Sequence, residues 1–282
     1  MSRISNGSTL TGSEQGSSVV EFTPGLVQPG HYTADPGTAG STTLLLQISL
    51  PCLFFPPQAT DYPSTLTLKG GTNASMAPQI DYTEHIFLPF LQRHFGLEVD
   101  LKVKKRGYYP RGGGEVSVSV NPAKYPLPSV TLLERGKLLK IRGKAYVAGL
   151  PSAIARTIRD TAVEELLSAL SSSSTDSSSN LIAAEDIQID AVREQPQDAV
   201  GAGSGIVLWA ETESGCRIGG SSVGRKGVDS TQTAREAVEE LVRGLKDGGC
   251  VDEYLQDQML IFLALAKGTS KVSCGPLTLH TK

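Results

Sequence analysis

Between Leu97 and Val120 the chain alternates twice with a period of two, a pattern that leaves little choice of local fold. Leu97, Val99, Leu101 and Val103 alternate with Glu98, Asp100, Lys102 and Lys104. Val116, Val118 and Val120 repeat the pattern after the glycine-rich RGYYPRGGGE. Successive strand side chains point to opposite faces, so each stretch reads as a half-buried strand. Together they predict an antiparallel pair joined by a long loop. Ahead of them a helix is predicted after Pro78, with Ile86, Phe87, Phe90, Leu91 and Phe95 on one face and Gly96 as its stop. Pro89 lies inside that pattern and predicts a kink or a break, because proline lacks the N–H that the helix needs.

The flanking chain is read by the same rules. Met1–Ser18 is polar and predicted to fray, Val19–Phe22 reads as a short strand, and His31–Gly40 as a loop. Ser41–Leu53 is a mostly apolar run, too long for a typical buried strand, and reads as a helix. Its one amide, Gln47, either joins a structural network or faces a ligand. Thr65–Lys69 reads as a strand, and the three prolines of Pro122–Pro128 as a boundary. Beyond it come a strand at Leu138–Ile141 and a helix striped by Ile154, Ile158, Ala162, Leu166 and Leu170. The low-complexity Ser171–Asn180 predicts a disordered loop, followed by strands at Ile187–Val192 and Ile206–Glu211. Asp229 or Ser230 caps a helix ended by Gly248-Gly249. Asp252 caps a last helix, Glu253–Lys267, stopped by Gly268, and a strand begins at Val272.

With 282 residues, 39% of them hydrophobic, the chain can build one large domain or two smaller ones. Its net charge of -3 gives no global basic field, so any nucleic-acid site must be a local patch. No apolar run is long enough to span a membrane, and the polar start lacks a secretory h-region. Cys52, Cys216, Cys250 and Cys274 are widely spaced, which fits reduced thiols in an intracellular protein better than a zinc site or a disulfide framework.

Several residues can carry chemistry. The loop Gly70-Gly71-Thr72-Asn73 lacks the lysine and spacing of a P-loop and the GxGxxG fingerprint. Lys69 and Asn73 beside it could meet a phosphate. Gly112-Gly113-Gly114 lets backbone lie close to another chain or a ligand. Lys102, Lys104, Lys105, Arg106 and Arg111 surround Tyr108 and Tyr109; such a run is either a solvated strand face or a site for an RNA end, where cations pair with phosphate and rings stack on bases. Tyr254, Asp257 and Gln258 share one helix face by their spacing, which a capped, solvated first turn also explains. His280, near the end of the sequence, reads by itself as a surface or packing residue.

Four blocks change that reading: KGGTNASMAPQIDY, RGYYPRGGGEV, EYLQDQ and GPLTLHT. In this order they resemble the RNA 3'-terminal phosphate cyclase family, from about Thr11 onward. The resemblance implies an α/β (α+β) fold of repeated βαβαββ units like a translation-initiation-factor C-terminal domain, with a smaller α/β domain inserted. It divides the chain into a first part of the main domain at 1–132, the insert at 133–247 and a C-terminal part at 248–282. It implies an ATP-dependent ligase-type activity in RNA processing, which converts an RNA 3'-phosphate to a 2',3'-cyclic phosphate. His280 is then the nucleophile that becomes a histidine-AMP, a nucleotidylated enzyme. Gln47, Pro78, Tyr254, Asp257 and Gln258 then line the ATP pocket, and a helix N-terminus there favours phosphate. Lys69, Asn73, Arg106 and Arg111 are candidates to meet RNA.

The implied cofactors are ATP and a divalent metal, magnesium or manganese, with unknown ligands. The implied partner is RNA ending in a 3'-phosphate; no membrane is implied, protein partners are unknown, and the location is intracellular and nuclear. The alternative is a non-catalytic cyclase-like protein of ribosomal RNA processing, or an inactive fragment. Such non-catalytic relatives lack the histidine, so His280 together with EYLQDQ favours the enzyme lineage. The family's N-terminal DGS-EGGGQ-R block, which holds a metal-binding acid, has no match here, and the sequence stops two residues after His280. These residues alone are therefore expected to cyclise RNA poorly.

Overall fold

A computed structural model describes residues 2–57, 62–172 and 182–282. The first sheet is built around the two alternating stretches. Strands β1 (His31–Ala34), β2 (Ser64–Gly70), β3 (Val99–Gly107) and β4 (Gly114–Val120) interleave with helices α1 (Thr42–Phe54) and α2 (80–95). The chain order is β1-α1-β2-α2-β3-β4, the βαβαββ unit that the resemblance implies. In the sheet β4 lies between β3 and β2, antiparallel to both, and β1 pairs parallel with β2 at the edge. Leu66, Val118 and Leu101 fall in one cross-strand row and Leu68, Val116 and Val103 in the next. This face packs against α1 and α2 in one core with Leu46, Leu50, Phe87, Leu91 and Phe95. The other face is polar.

Local signals fix the helix ends. The Ser41 side chain accepts from Leu44 N at 3.3 Å and caps α1, and Gly96, at φ 66°, closes α2. The break predicted at Pro89 does not occur. Residues Thr83–Phe87 form a π turn, and Leu88 N donates to Thr83 O, so the helix absorbs the proline by widening one turn. Pro89 has no N–H to give the carbonyl of His85, and the Arg217 guanidinium donates to that oxygen instead.

A second sheet follows. It holds β5 (Leu138–Ala148), β6 (Ile187–Arg193), β7 (Gly203–Thr212) and β8 (Arg217–Val223) in the order β6-β5-β7-β8. Helix α3 (Ser152–Ser172) crosses between the parallel β5 and β6, and α4 (Ser230–Lys246), capped by Asp229, follows β8. Both helices cover one face, around Ile158, Leu166, Leu208, Ile218 and Leu241. The opposite face lends Val207 and Trp209 to the first core. The Trp209 ring stacks on His85 with centroids 4.4 Å apart. The four long strands pair only with one another; the two-residue strand Ala199–Val200 pairs with Arg106–Gly107 on the edge of the first sheet. The architecture is α+β, with no closed barrel among the described residues.

Three expectations are corrected. The polar N-terminus is paired: Ser5–Asn6 with Leu26–Val27, and Thr9–Thr11 with Glu21–Thr23. His31–Ala34 is a strand, hidden in the sequence because an edge strand with two half-buried side chains shows little alternation. The last helix stops early, as α5 (Glu253–Gln258) and α6 (Leu260–Ala264), and Ala266–Lys267 pairs parallel with Leu127–Pro128. Beside these, RIGGSSV, to which the periodicity assigns no element, forms β8 although it is poor in apolar residues. Residues 173–180 of the serine tract lie outside the described residues, and Ser171 and Ser172 end α3.

Gly219 of β8 marks how closely the second sheet lies on α2. A Cβ there would sit 2.7 Å from Ile86 Cδ1 and 2.8 Å from Tyr82 Cε2. Both neighbours are fully enclosed, so Gly219→Ala is expected to lower stability by about 1–3 kcal/mol. Urea unfolding monitored at Trp209 measures this, and an unchanged midpoint would contradict the contact.

Candidate active site

The glycine-rich loops meet each other at the ends of the first sheet. A Cβ on Gly107 would lie 2.2 Å from Gly70 O, and one on Gly70 would lie 2.2 Å from Gly40 O. Thr72 N donates to Gly107 O at 2.9 Å, and Thr42 N donates to Gly71 O at 2.9 Å. The glycines at these positions let three backbone segments touch. Beneath them Arg106 points inward, 4% exposed, and forks both oxygens of the buried Asp81 at 2.6 and 2.8 Å. Asn73 Nδ2 donates to Asp81 and to Gln79, and Tyr146 OH of β5 donates to the same Gln79 oxygen at 2.5 Å. Lys144 Nζ lies 3.3 Å from Asp81, and Glu194 Oε1 lies 2.6 Å from Arg106 Nε as an ion contact rather than an aligned hydrogen bond. Burial alone would raise the Asp81 carboxyl, but Arg106, Lys144 and Asn73 hold it well below the usual carboxylate range. Arg106 and Asn73, expected to meet RNA, are thus interior groups that join the two sheets.

The segment after the second sheet is organised by Asp252. Its Oδ1 accepts from Tyr82 OH at 2.6 Å, Tyr254 N at 3.1 Å and Leu255 N at 2.9 Å, and its Oδ2 accepts from Gly219 N at 2.7 Å. One buried carboxylate therefore caps α5 and ties it to α2 and to β8 of the second sheet. Tyr254 sits edge-on to Tyr82, with ring centroids 5.6 Å apart. Tyr254 also lines a cleft of about 200 Å³ with Ala77, Gln79, Ser221, Ser222 and Glu240. Burial, helped by Glu253 and Asp252, pushes the Glu240 carboxyl up to about 8, so it is mostly protonated at neutral pH. Burial and the same acidic surroundings push the Tyr254 phenol up to about 12.

Pro78, next to Ala77 in that wall, takes a hydrogen bond on its carbonyl from Thr43 Oγ1 at 2.7 Å. Gln47 lies one turn further along α1, half-buried. Asp257 is half-buried and Gln258 is buried, 5% exposed. Burial raises the Asp257 carboxyl, and backbone hydrogen bonding and the charge of His280 act the other way. His280 is exposed, in a turn where Thr281 N and Lys282 N both donate to Thr278 O at 3.2 Å. Lys69 and Arg111 stay apart from this group. Lys69 stands in a cross-strand row with Glu115 and Lys105 on the polar face of the first sheet, and Arg111 is exposed at the tip of the β3–β4 loop beside Tyr109, 82% exposed.

The sequence reading missed Gln79, Asp81, Gln256 and Glu240. Gln79 and Asp81 lie within KGGTNASMAPQIDY and Gln256 within EYLQDQ, so these three carried a signal, whereas Glu240 carried none. Among the described residues one trio, Asp81, Glu84 and His85, brings ligand atoms within 4.8 Å of one another. It does not suit a divalent ion, since both Asp81 oxygens already face cations, Arg106 and Lys144. Among the described residues no helix is long and apolar enough to cross a membrane.

The family whose sequence pattern matches residues 1–282 is described as RNA 3'-terminal phosphate cyclase. A protein of Dictyostelium discoideum named "Probable RNA 3'-terminal phosphate cyclase" is 36% identical over 97% of this chain and 60% of its own length. Proteins named RNA 3'-terminal phosphate cyclase in Pyrobaculum aerophilum and Drosophila melanogaster are 35% and 36% identical, over 97% and 94% of this chain and 72% and 69% of their own lengths. The chain therefore spans about 60 to 72% of these relatives. A match along the whole chain, with the four blocks in place on one α+β frame, means that the chain belongs to the RNA 3'-terminal phosphate cyclase family.

Proposed function

We propose that this chain carries the catalytic residues of an ATP-dependent RNA 3'-phosphate cyclase, with His280 as nucleophile. The observation that supports this most is the meeting of two distant blocks: the segment leading into the His280 turn is bonded to Gln256 of α5 through Pro276 and Thr278, and His280 acts electrostatically on Asp257 of the same helix. A neutral imidazole is a good nucleophile and a good leaving group from a phosphoramidate. Its ring nitrogen attacks the α-phosphorus of ATP, an N–P bond forms, and pyrophosphate leaves with the broken P–O bond. A terminal oxygen of the RNA 3'-phosphate then attacks the same phosphorus and expels the imidazole. The neighbouring 2'-OH loses its proton to solvent, attacks the 3'-phosphorus and releases AMP, which closes the ring. ATP supplies the leaving groups; this chain's residues bind and orient them. Tyr254, Asp257 and Gln258 on one face of α5, together with Gln47 and Pro78, form the nucleotide site in this reading.

The test is transfer of label from α-labelled ATP to the protein, then release of that label as AMP when RNA ending in a 3'-phosphate is added. No transfer in the presence of magnesium or manganese would count against the reading. For RNA, Arg111 and Tyr109 remain exposed candidates, whereas Arg106 does not. RNA ending in a 3'-phosphate is expected to bind more tightly than RNA ending in a 3'-hydroxyl, with affinity falling as salt rises. Arg111→Ala should lower the slope of log affinity against log salt by roughly 0.7, the value for one lost phosphate contact on a single strand. Equal affinity for the two ends would remove the argument for end recognition.

A further inference from the structure

We infer that Gln256 is a positioning residue for the nucleophile, a role that rests on the reading of His280 given above. Helix α5 presents Tyr254, Asp257 and Gln258 on one side, and residue 256, about two hundred degrees round from 254, projects from the other. There the Gln256 amide is 2% exposed and uses both ends. Its Nε2 donates to Pro276 O at 3.3 Å, and its Oε1 accepts from Thr278 N at 2.8 Å. Among the described residues these are the hydrogen bonds that join Pro276–Lys282 to the rest of the chain. From Thr278 the chain enters the turn closed by Thr281 N and Lys282 N, and His280 lies within it.

The geometry makes one side chain a clamp across the back of the helix whose front holds the nucleotide residues. A glutamine suits this place, because its amide offers one donor and one acceptor in a fixed plane, matched here to a carbonyl and an N–H two residues apart. The clamp fixes the distance between α5 and the His280 turn. In-line attack on the α-phosphorus needs the imidazole held within a few tenths of an ångström, and a displacement of about 1 Å can cost about 10²-fold in rate. Gln256 does not touch the nucleotide face. Its loss should therefore lower the rate of adenylation and leave ATP binding unchanged.

Two variants separate the clamp from simple packing. Gln256→Met keeps the volume and helix preference but removes both hydrogen bonds, and Gln256→Ala also leaves a cavity. In both, amide exchange at Thr278 and Thr281 is expected to rise at least about tenfold, with exchange in β2–β4 unchanged. In both, the rate of AMP labelling is expected to fall roughly 10- to 100-fold, with the ATP concentration for half-maximal labelling within about twofold of the parent. The inference is overturned by unchanged exchange at Thr278, by a defect confined to Gln256→Ala, or by weaker ATP saturation at an unchanged rate. If the parent chain takes no label at all, the proposed function fails instead, and exchange in the two variants alone decides the clamp.

Discussion

Replacing His280 with alanine is expected to abolish covalent AMP labelling while the protein stays folded. The side chain is exposed in a turn near the end of the sequence and takes no part in either core, so its removal costs little stability. The chemistry has no substitute. Of the other three histidines, His85 is stacked on Trp209, His94 packs against Phe90 with ring centroids 4.6 Å apart, and His31 is bonded to Thr65 on the edge strand β1. Labelling should fall to background, while ATP still protects the chain against heat by binding at α5. Acid-labile AMP on the His280→Ala protein would identify a different nucleophile. Loss of the ATP-induced melting shift as well would place His280 in binding rather than in bond formation.

The second large effect is on stability. Arg106→Met removes one partner of a buried ion pair and leaves Asp81, which is fully enclosed, with Lys144 and Asn73 alone. Breaking such a pair typically costs about 3–5 kcal/mol, a large part of the stability of an ordinary domain. The double variant Asp81→Leu with Arg106→Met should recover much of the loss, because no charge is then stranded. The pH dependence has a definite sign. The folded carboxyl of Asp81 is held below its unfolded value of about 3.9. The stability it contributes is complete above that value and is lost as pH falls toward the folded one. Urea midpoints measured from pH 7 down to pH 3 should drop for the parent and flatten for the double variant. Equal midpoints for parent and Arg106→Met at pH 7 would show that the pair contributes nothing.

Much of the local fold was legible in the sequence. The alternation at Leu97–Val103 and Val116–Val120 gave the β3–β4 pair, since a strand with one face in a core has no other way to arrange its side chains. Gly96, Asp229 and Asp252 marked helix ends, because a cap is a bond to backbone a few residues away. The candidate nucleophile and the nucleotide helix were legible as blocks, EYLQDQ and GPLTLHT, but not their mutual placement. That placement rests on Gln256, 22 residues before Thr278, whose amide bonds Pro276 O and Thr278 N.

What the sequence determined by itself is therefore everything set by periodicity and by bonds within a turn or two. The tertiary structure alone decided which charges are solvated and which are enclosed. Arg106 stands in a basic run that looks the same whether it meets RNA or Asp81, 25 residues earlier. Burial of the Arg106 guanidinium depends on partners that arrive from α2 (Asp81), from β5 (the Tyr146 ring) and from the end of β6 (Glu194), and no local pattern encodes them. Pro89 shows the same division. Its missing N–H was certain from the sequence, but the repair came from Arg217, 132 residues beyond the carbonyl it serves. A backbone group left unpaired in a core must find some donor, and which one it finds is settled only when distant segments pack.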